Sequence, residues 1–429
     1  MTVRLATYNV EWMNALFDDR GHLLADGERS SRYEVSRAEQ LTALGVVFTA
    51  LNADGVMIIE APDTDHIRST ARALETFARH FKLRVRKAVI GFVSGTEQES
   101  AFLYDPDCLT VAHDPLGEVT GRQGGHGGSR FDQVFRYDLD ADGISDLTSF
   151  SKPPLELAVT STEGHKLRLI GVHAKSKAPH GRVSDTEFRR ISIENRRKQL
   201  AECLWLRARA EQHLTAGDPL IIMGDFNDGP GLDEYEQLFG RSGVEIVLGA
   251  PGQVKLSDPN AELALASRVG LSPTSARFYL APKRQYFEAL LDFIMVSPNL
   301  AATQPKWRIW HPFNDPALAA IPELHDALLT ASDHFPVTID LTALDEAPQT
   351  NGMVERFNGR IEEVLQSHHF HSGEELETTL HRYVLLYNQQ LPQSALASKM
   401  PLQAMKDWHK LKPELFRKQP YYLPGCDMD

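Results

Sequence analysis

Residues 219–228 read Pro-Leu-Ile-Ile-Met-Gly-Asp-Phe-Asn-Asp, and this stretch decides the fold. The apolar run from Leu220 to Met223 is short and carries β-branched isoleucines, the pattern of a buried strand. It ends in an acid, Asp225, and an amide, Asn227. A polar group at the end of a buried strand costs free energy unless it is paired or bound to a metal. In sheet-based folds, strand ends also face the crevice where ligands sit.

The same event recurs along the chain. Val3–Val10 presents Asn9, Gly55–Glu60 ends in Glu60, and Leu167–His173 ends in His173. Asp292 opens the run Asp292–Ser297, and Asp333-His334 precedes Phe335–Leu341. Ala101–Tyr104 and Leu155–Thr160 read as further strands. Between them lie helical patterns. Leu41, Leu44, Phe48 and Leu51 share one face, and a longer helix spans about Glu187–Leu214 with Leu200, Leu204 and Ala208 on one side. The basic residues of that helix, Arg189, Arg190, Arg196, Arg197 and Lys198, read as a solvated face. Alternating strands and helices predict an α/β fold.

One strand-end acid is usually a turn cap, and one His is usually just hydrogen-bonded. The repetition on separate strands is what points to chemistry. Carboxylates and amides are hard oxygen donors that suit Mg²⁺ or Mn²⁺. A His beside an Asp supplies a charged donor to a phosphoryl oxygen.

Composition narrows the field. The chain has 429 residues, 42% hydrophobic and 24% charged, which is ordinary globular composition. Its net charge of −13 disfavours sequence-blind binding to long nucleic acid. Cys108, Cys203 and Cys426 form no CxxC pair, which excludes a zinc knuckle or a disulfide-stapled fold and fits a reducing compartment. No apolar stretch approaches the about 18 residues of a membrane span. The expectation is a cytoplasmic protein without a membrane partner. Gly121–Ser129, reading GRQGGHGGS, does not fit a phosphate-binding P-loop and predicts a flexible surface loop. A second turn-rich region runs from about Gly249 to Ser275.

Taken together, TYNVEW, the Glu-ended second strand, VHAKSK, GDFND, LDFIMVS and SDHFPV resemble the endonuclease/exonuclease/phosphatase superfamily in order and spacing. These are the deoxyribonuclease-I-like phosphoesterases, and the likeness covers roughly residues 1–343. The resemblance implies a four-layer α/β sandwich: two mixed sheets face to face with helices outside. It implies a divalent-metal-dependent phosphoesterase, with Mg²⁺ or Mn²⁺ as cofactor and a phosphoester substrate, nucleic acid among the candidates. It makes Glu60 the principal metal ligand, with Asn9 beside it and Asp333 nearby. Asp225 becomes the acid that orients or deprotonates water, and Asn227 the amide holding a phosphate oxygen. His334 contacts the scissile phosphate and Asp292 orients it. His173 becomes a leaving-group acid or phosphate donor, with Lys175 and Lys177 as possible further contacts. Ile59 stands where many members carry Gln, and Ala61-Pro62-Asp63 replaces the Thr-Lys of abasic-site endonucleases. The substrate therefore stays open among DNA, RNA, nucleotides, phosphoinositides and lipids, with Gly121–Ser129 and Gly249–Ser275 as expected determinants.

Beyond the polar hinge Asp345–Thr350 the texture changes, and the expected domains are 1–346 and 347–429. The tail, carrying NGMVERFNG, RYVLLYN and PLQAM, resembles the C-terminal end of an integrase-type insertion-sequence transposase. The resemblance makes Glu355 the third carboxylate of a metal site whose other two members are missing. A lone carboxylate cannot hold two metals, so Glu355 is expected to be catalytically orphaned and the tail a fusion remnant. The alternatives are a DNA-binding protein acting through the tail, or an inactive fusion product.

Overall fold

The computed structural model describes residues 2–96, 98–125, 128–138, 146–177, 185–229, 239–266, 272–280, 284–342, 372–390 and 399–413. The chain separates into two compact units, Met1–Ala347 and Pro348–Asp429. Glu355 and the hinge lie outside the described residues.

Among its described residues the first unit has fifteen strands: β1 (Val3–Asn9), β2 (Gly55–Ala61), β3 (Lys87–Ile90), β4 (Glu99–Tyr104), β5 (Leu109–His113), β6 (Phe135–Tyr137), β7 (Asp146–Thr148), β8 (Leu155–Ser161), β9 (Lys166–His173), β10 (Leu220–Asp225), β11 (Ala276–Leu280), β12 (Gln285–Ala289), β13 (Asp292–Val296), β14 (Lys306–Ile309) and β15 (Val337–Leu341). One sheet has the order β14-β15-β1-β2-β4-β3, the other β13-β10-β9-β8-β5, and β11-β12 and β6-β7 form separate pairs. Each large sheet is mixed, with one parallel pair, β1 with β2 and β9 with β10, among antiparallel ones.

Three hydrophobic cores define four layers. Between the sheets, Leu5, Met57 and Ile59 pack against Leu169, Ile221 and Met223. Ala6, Tyr8 and Ile58, on the outer face of the first sheet, pack on Leu44 and Phe48 of α1 (Arg37–Leu51) and Phe77 of α2 (Thr70–His80). Outside the second sheet, Ile170, Val172 and Ile222 pack on Leu200 and Trp205 of α3 (Asp185–Ala216). The central strands are buried on both faces, which is why they read as unbroken apolar runs. α1 starts where Ser36 and Glu39 form a reciprocal capping box. The expected four-layer α/β sandwich is the observed architecture.

One local expectation is corrected. The basic run on α3 is not simply solvated: Arg196 is fully buried on Asp228 at 2.7 Å, and Arg209 is fully buried on Glu156. Gly121–Ser129 is anchored at its end, because the buried Ser129 carbonyl accepts from Trp205 Nε1 and Arg209. In the second unit, described residues form helices Gly373–Gln390 and Pro401–Leu411. No described helix is long and apolar enough to cross a membrane.

Candidate active site

The ladder of the second sheet assembles half the site. Asp225, the last residue of β10, pairs with His173 on the parallel neighbour β9 and with Asp292 on the antiparallel neighbour β13. Three strand-end residues thus share one cross-strand row, at spacings set by backbone hydrogen bonds. Gly224, just before Asp225, has φ +144°, and a Cβ there would sit 2.0 Å from the Val172 carbonyl oxygen. Only glycine fits.

The first sheet supplies the rest. Asn9 ends β1 opposite Ile59. One residue later the β2–β4 register shifts, and Glu60 sits in the left-handed region at φ +63°. Such a bulge re-aims a side chain, and a non-glycine residue held there stores strain of the kind found at functional sites. Glu60 Oε2 accepts from the Trp12 amide at 2.9 Å. Asn9 Nδ2 donates across the gap between the sheets to Asp225 Oδ2 at 3.1 Å.

Asp225 is 1% exposed. Its Oδ1 accepts from the Asn227 amide at 2.7 Å, and Oδ2 also accepts from Asn227 Nδ2 at 3.3 Å. Burial pushes its pKa up to about 6, against the pull of the His334 charge. His334 Nδ1 meets Asp292 Oδ2 at 2.8 Å, and Ser275 Oγ donates to the same oxygen at 2.8 Å. His334 Nε2 lies 4.0 Å from Asp225 Oδ2. Burial works against the imidazolium, yet Asp292, Asp225 and Asp333 hold its pKa well above the ordinary value. His173 Nε2 lies 3.8 Å from Asp225 Oδ2 and 3.9 Å from Glu60 Oε1, and burial lowers its pKa well below the ordinary value.

Seven of the eight sequence-predicted residues line one cavity of about 440 Å³; the eighth, Asp292, stands behind His334. Asn227 differs in detail from its expected part. Its Nδ2 donates to the Ala174 carbonyl as well as to Asp225, so both amide hydrogens are engaged within the fold. Lys175 lines the cavity, whereas Lys177 pairs with the buried Asp228 at 3.0 Å. No described residue of Gly121–Ser129 or Gly249–Ser275 lines it. Thr96, Gln98, Ser151 and Phe278 do, and the Phe278 ring meets His334 edge-on.

Sequence reasoning passed over three charged residues of this cavity. Glu11 lies two residues beyond Asn9, turned inward by the left-handed pair Glu11 (φ 47°) and Trp12 (φ 54°). Its carboxylate pairs with Arg32 and accepts from the Asp333 amide at 2.9 Å. Lys152 precedes β8, and Glu202 sits on α3. Only the position of Glu11 within TYNVEW offered a signal. Burial raises the pKa of Glu202 to about 7 and lowers that of Lys152.

Two groups of donors could hold a cation. Asp225, Asp292 and His334 have ligand atoms within 4.8 Å of one another. There, however, the imidazole is hydrogen-bonded to Asp292 and favours its protonated form, which is not a ligand's state. The second group is Glu60, Asp333 and Asn9, with Glu11 beside them. Burial raises the pKa of both Asp333 and Glu11, Glu60 raises that of Asp333 further, and Asp333 that of Glu11. Crowded oxygen donors of like charge fit a hard divalent cation.

Comparison with known proteins gives the class. Residues 134–334 match the model of the Endonuclease/Exonuclease/phosphatase family, and residues 343–401 match the Integrase core domain. The first unit resembles that phosphoesterase family, and the chain is a hydrolase acting on phosphodiester bonds. Family members are generally divalent-metal-dependent. Asn9 and Glu60 lie ahead of the matched segment and are joined to it by the fold.

Similar solved structures include TDP2 from C. elegans, at 14% identity and TM-score 0.43 over 80% of this chain and 76% of that one. A family protein from Bacteroides thetaiotaomicron shows 14% identity and TM-score 0.41 over 79% and 97%. The human Nocturnin catalytic domain with bound sulfate shows 15% identity and TM-score 0.36 over 79% and 93%. None of the curated proteins matches the chain.

Proposed function

We propose that residues 1–346 form a divalent-metal-dependent phosphodiesterase that uses Asp225 as the base. The observation that carries this reading is the buried Asp225 carboxylate, open to the cavity and held in one orientation by Asn9 and Asn227. With its pKa pushed to about 6, Asp225 is mostly ionised at neutral pH yet basic enough to take a proton. Water attacks phosphorus in line and passes its proton to Asp225. The bond to the leaving oxygen breaks with its electron pair going to that oxygen.

His334, kept cationic by Asp292, faces the charge that develops on the phosphoryl oxygens. Asn227 is a positioning residue for Asp225 in this reading. Glu60, Asp333 and Asn9 would hold Mg²⁺ or Mn²⁺, with Glu11 as an additional carboxylate. Bound there, the ion supplies Lewis-acid neutralisation of the phosphoryl group. The tail, 347–429, is a transposase-derived remnant without a part in this chemistry, and its net charge of −1 supplies no electrostatic footprint for DNA.

The test is hydrolysis of bis(p-nitrophenyl) phosphate by the full chain with Mg²⁺, Mn²⁺ or chelator, beside Asp225→Asn. Metal-dependent turnover that the variant loses is expected. A folded wild-type protein without turnover, or a variant as active as wild type, overturns the reading.

A further inference from the structure

The cavity contains a second basic group besides His334, the half-buried Lys152. Lys152 Nζ lies 3.0 Å from His173 Nε2. An ammonium has three donor hydrogens and no acceptor. With Lys152 protonated, His173 accepts at Nε2 and carries its proton on Nδ1. In that tautomer the nitrogen nearest Asp225 and Glu60 has no proton to give a leaving group. Lys152 has: two of its hydrogens have no partner among the described residues, and the side chain lines the cavity.

The loop that carries Lys152 is fixed from behind. Lys198 Nζ donates to Ser151 Oγ at 2.7 Å, and the Gly95 amide donates to the Ser151 carbonyl. The two imidazoles stand alike around the base, with Nε2 atoms 3.8 Å (His173) and 4.0 Å (His334) from Asp225 Oδ2. Their backing differs. Asp292 accepts from His334 and leaves it the cation; His173 accepts from Lys152 and leaves the lysine the cation.

We propose that Lys152 is a phosphate-oxygen ligand of this site and that His173 is the residue that positions it, not the proton donor to the leaving group. The inference rests on the phosphodiesterase reading of the same cavity. Lys152 and His334 then approach one phosphoryl group from two sides, each held by a partner.

The experiment compares full-length wild type with Lys152→Met, Lys152→Arg, His173→Gln, His173→Ala and the Lys152→Met/His173→Ala double variant. It reads kcat/KM on bis(p-nitrophenyl) phosphate, competitive inhibition by inorganic phosphate, and phosphate binding by calorimetry with Mg²⁺ present. Circular dichroism checks that each variant is folded. Lys152→Met is expected to lower kcat/KM by about 10²–10³-fold, the effect of removing one preorganised donor, and to weaken phosphate inhibition in parallel. Lys152→Arg keeps phosphate binding. His173→Gln, which retains an acceptor, loses much less than His173→Ala. The double variant loses no more than Lys152→Met alone, because the two residues act as one unit.

Unchanged phosphate inhibition in Lys152→Met overturns the proposal, as does a double variant whose loss is the product of the single losses. Wild type without turnover would defeat the phosphodiesterase reading. Calorimetry would then still decide the ligand assignment: phosphate bound by wild type and not by Lys152→Met supports it, and equal or absent binding overturns it.

Discussion

Replacing Asp225 by Asn should leave the protein inactive, with a stability relative to wild type that rises with pH. The Asp225 carboxyl has an ordinary pKa of 3.8, raised to about 6 in the fold. A raised acid pKa means the folded state binds the proton more tightly than the unfolded chain does. Ionisation therefore destabilises the fold, with no penalty below pH 3.8 and the full penalty above about 6. At 1.36 kcal/mol per pKa unit the full penalty is roughly 3 kcal/mol, and about half of it develops between pH 5 and pH 8.

A pH-independent cost opposes this gain. The new amide would set its NH₂ against either the Asn227 backbone N–H or the Nδ2 groups of Asn9 and Asn227. A buried donor without an acceptor costs about 1–3 kcal/mol. Near pH 8 the two effects roughly cancel, but the slope between pH values survives. Urea unfolding of both proteins in chelator at pH 5, 6.5 and 8 measures it. The stability of the variant relative to wild type should rise by roughly 1 kcal/mol across that range. A flat or falling difference would show that Asp225 is not a desolvated carboxylate, and the basis for its action as a base would go with it.

Asp292→Asn removes the charge that keeps His334 protonated. The imidazolium persists below its pKa and is lost as pH rises through it. The alkaline limb of kcat/KM should therefore move to lower pH, with about 10²–10³ lost at pH 8; a pH profile with an unmoved limb would refute this. Added Mg²⁺ should raise the melting temperature of wild type and leave that of Glu60→Gln unchanged, which a thermal shift assay reads directly. Arg209→Met strands Glu156, whose pKa burial already pushes to about 7. It should cost about 3–5 kcal/mol at pH 8 by urea unfolding, and Arg209→Met/Glu156→Gln should recover much of that. A chain ending at residue 346 should keep the kcat/KM of the full protein, since the two units are separately compact.

The central strands were legible because burial on both faces forces an apolar run: β1, β2, β9, β10, β13 and β15 all carry it. The partly exposed strands β3 and β14 and the exposed β12 carry no such run, since packing demands little of their composition. The strand-end residues could be found by the same logic, because a polar group closing an apolar run stands out. Glu11, Lys152 and Glu202 could not. Glu11 reaches the cavity by a left-handed turn. Lys152 comes from a connecting segment held by Lys198, and Glu202 belongs to a helix whose charges look alike until packing sorts them. Arg196 and Arg209 make the same point, as internal ion-pair partners written like surface charge.

The bond from Asn9 to Asp225 joins one sheet to the other in the buried wall of the cavity. Asp225 is therefore aligned across a seam, and the spacing of that seam is set in the interior between the sheets. In the interior plane Met57 of one sheet presses so closely on Gly171 of the other that a Cβ there would sit 2.3 Å from its sulfur. A bulkier or smaller side chain in that plane would slide the sheets by fractions of an ångström and misalign Asp225 before it unfolded the protein. Selection for altered turnover should thus return substitutions in the dry interior as readily as around the rim.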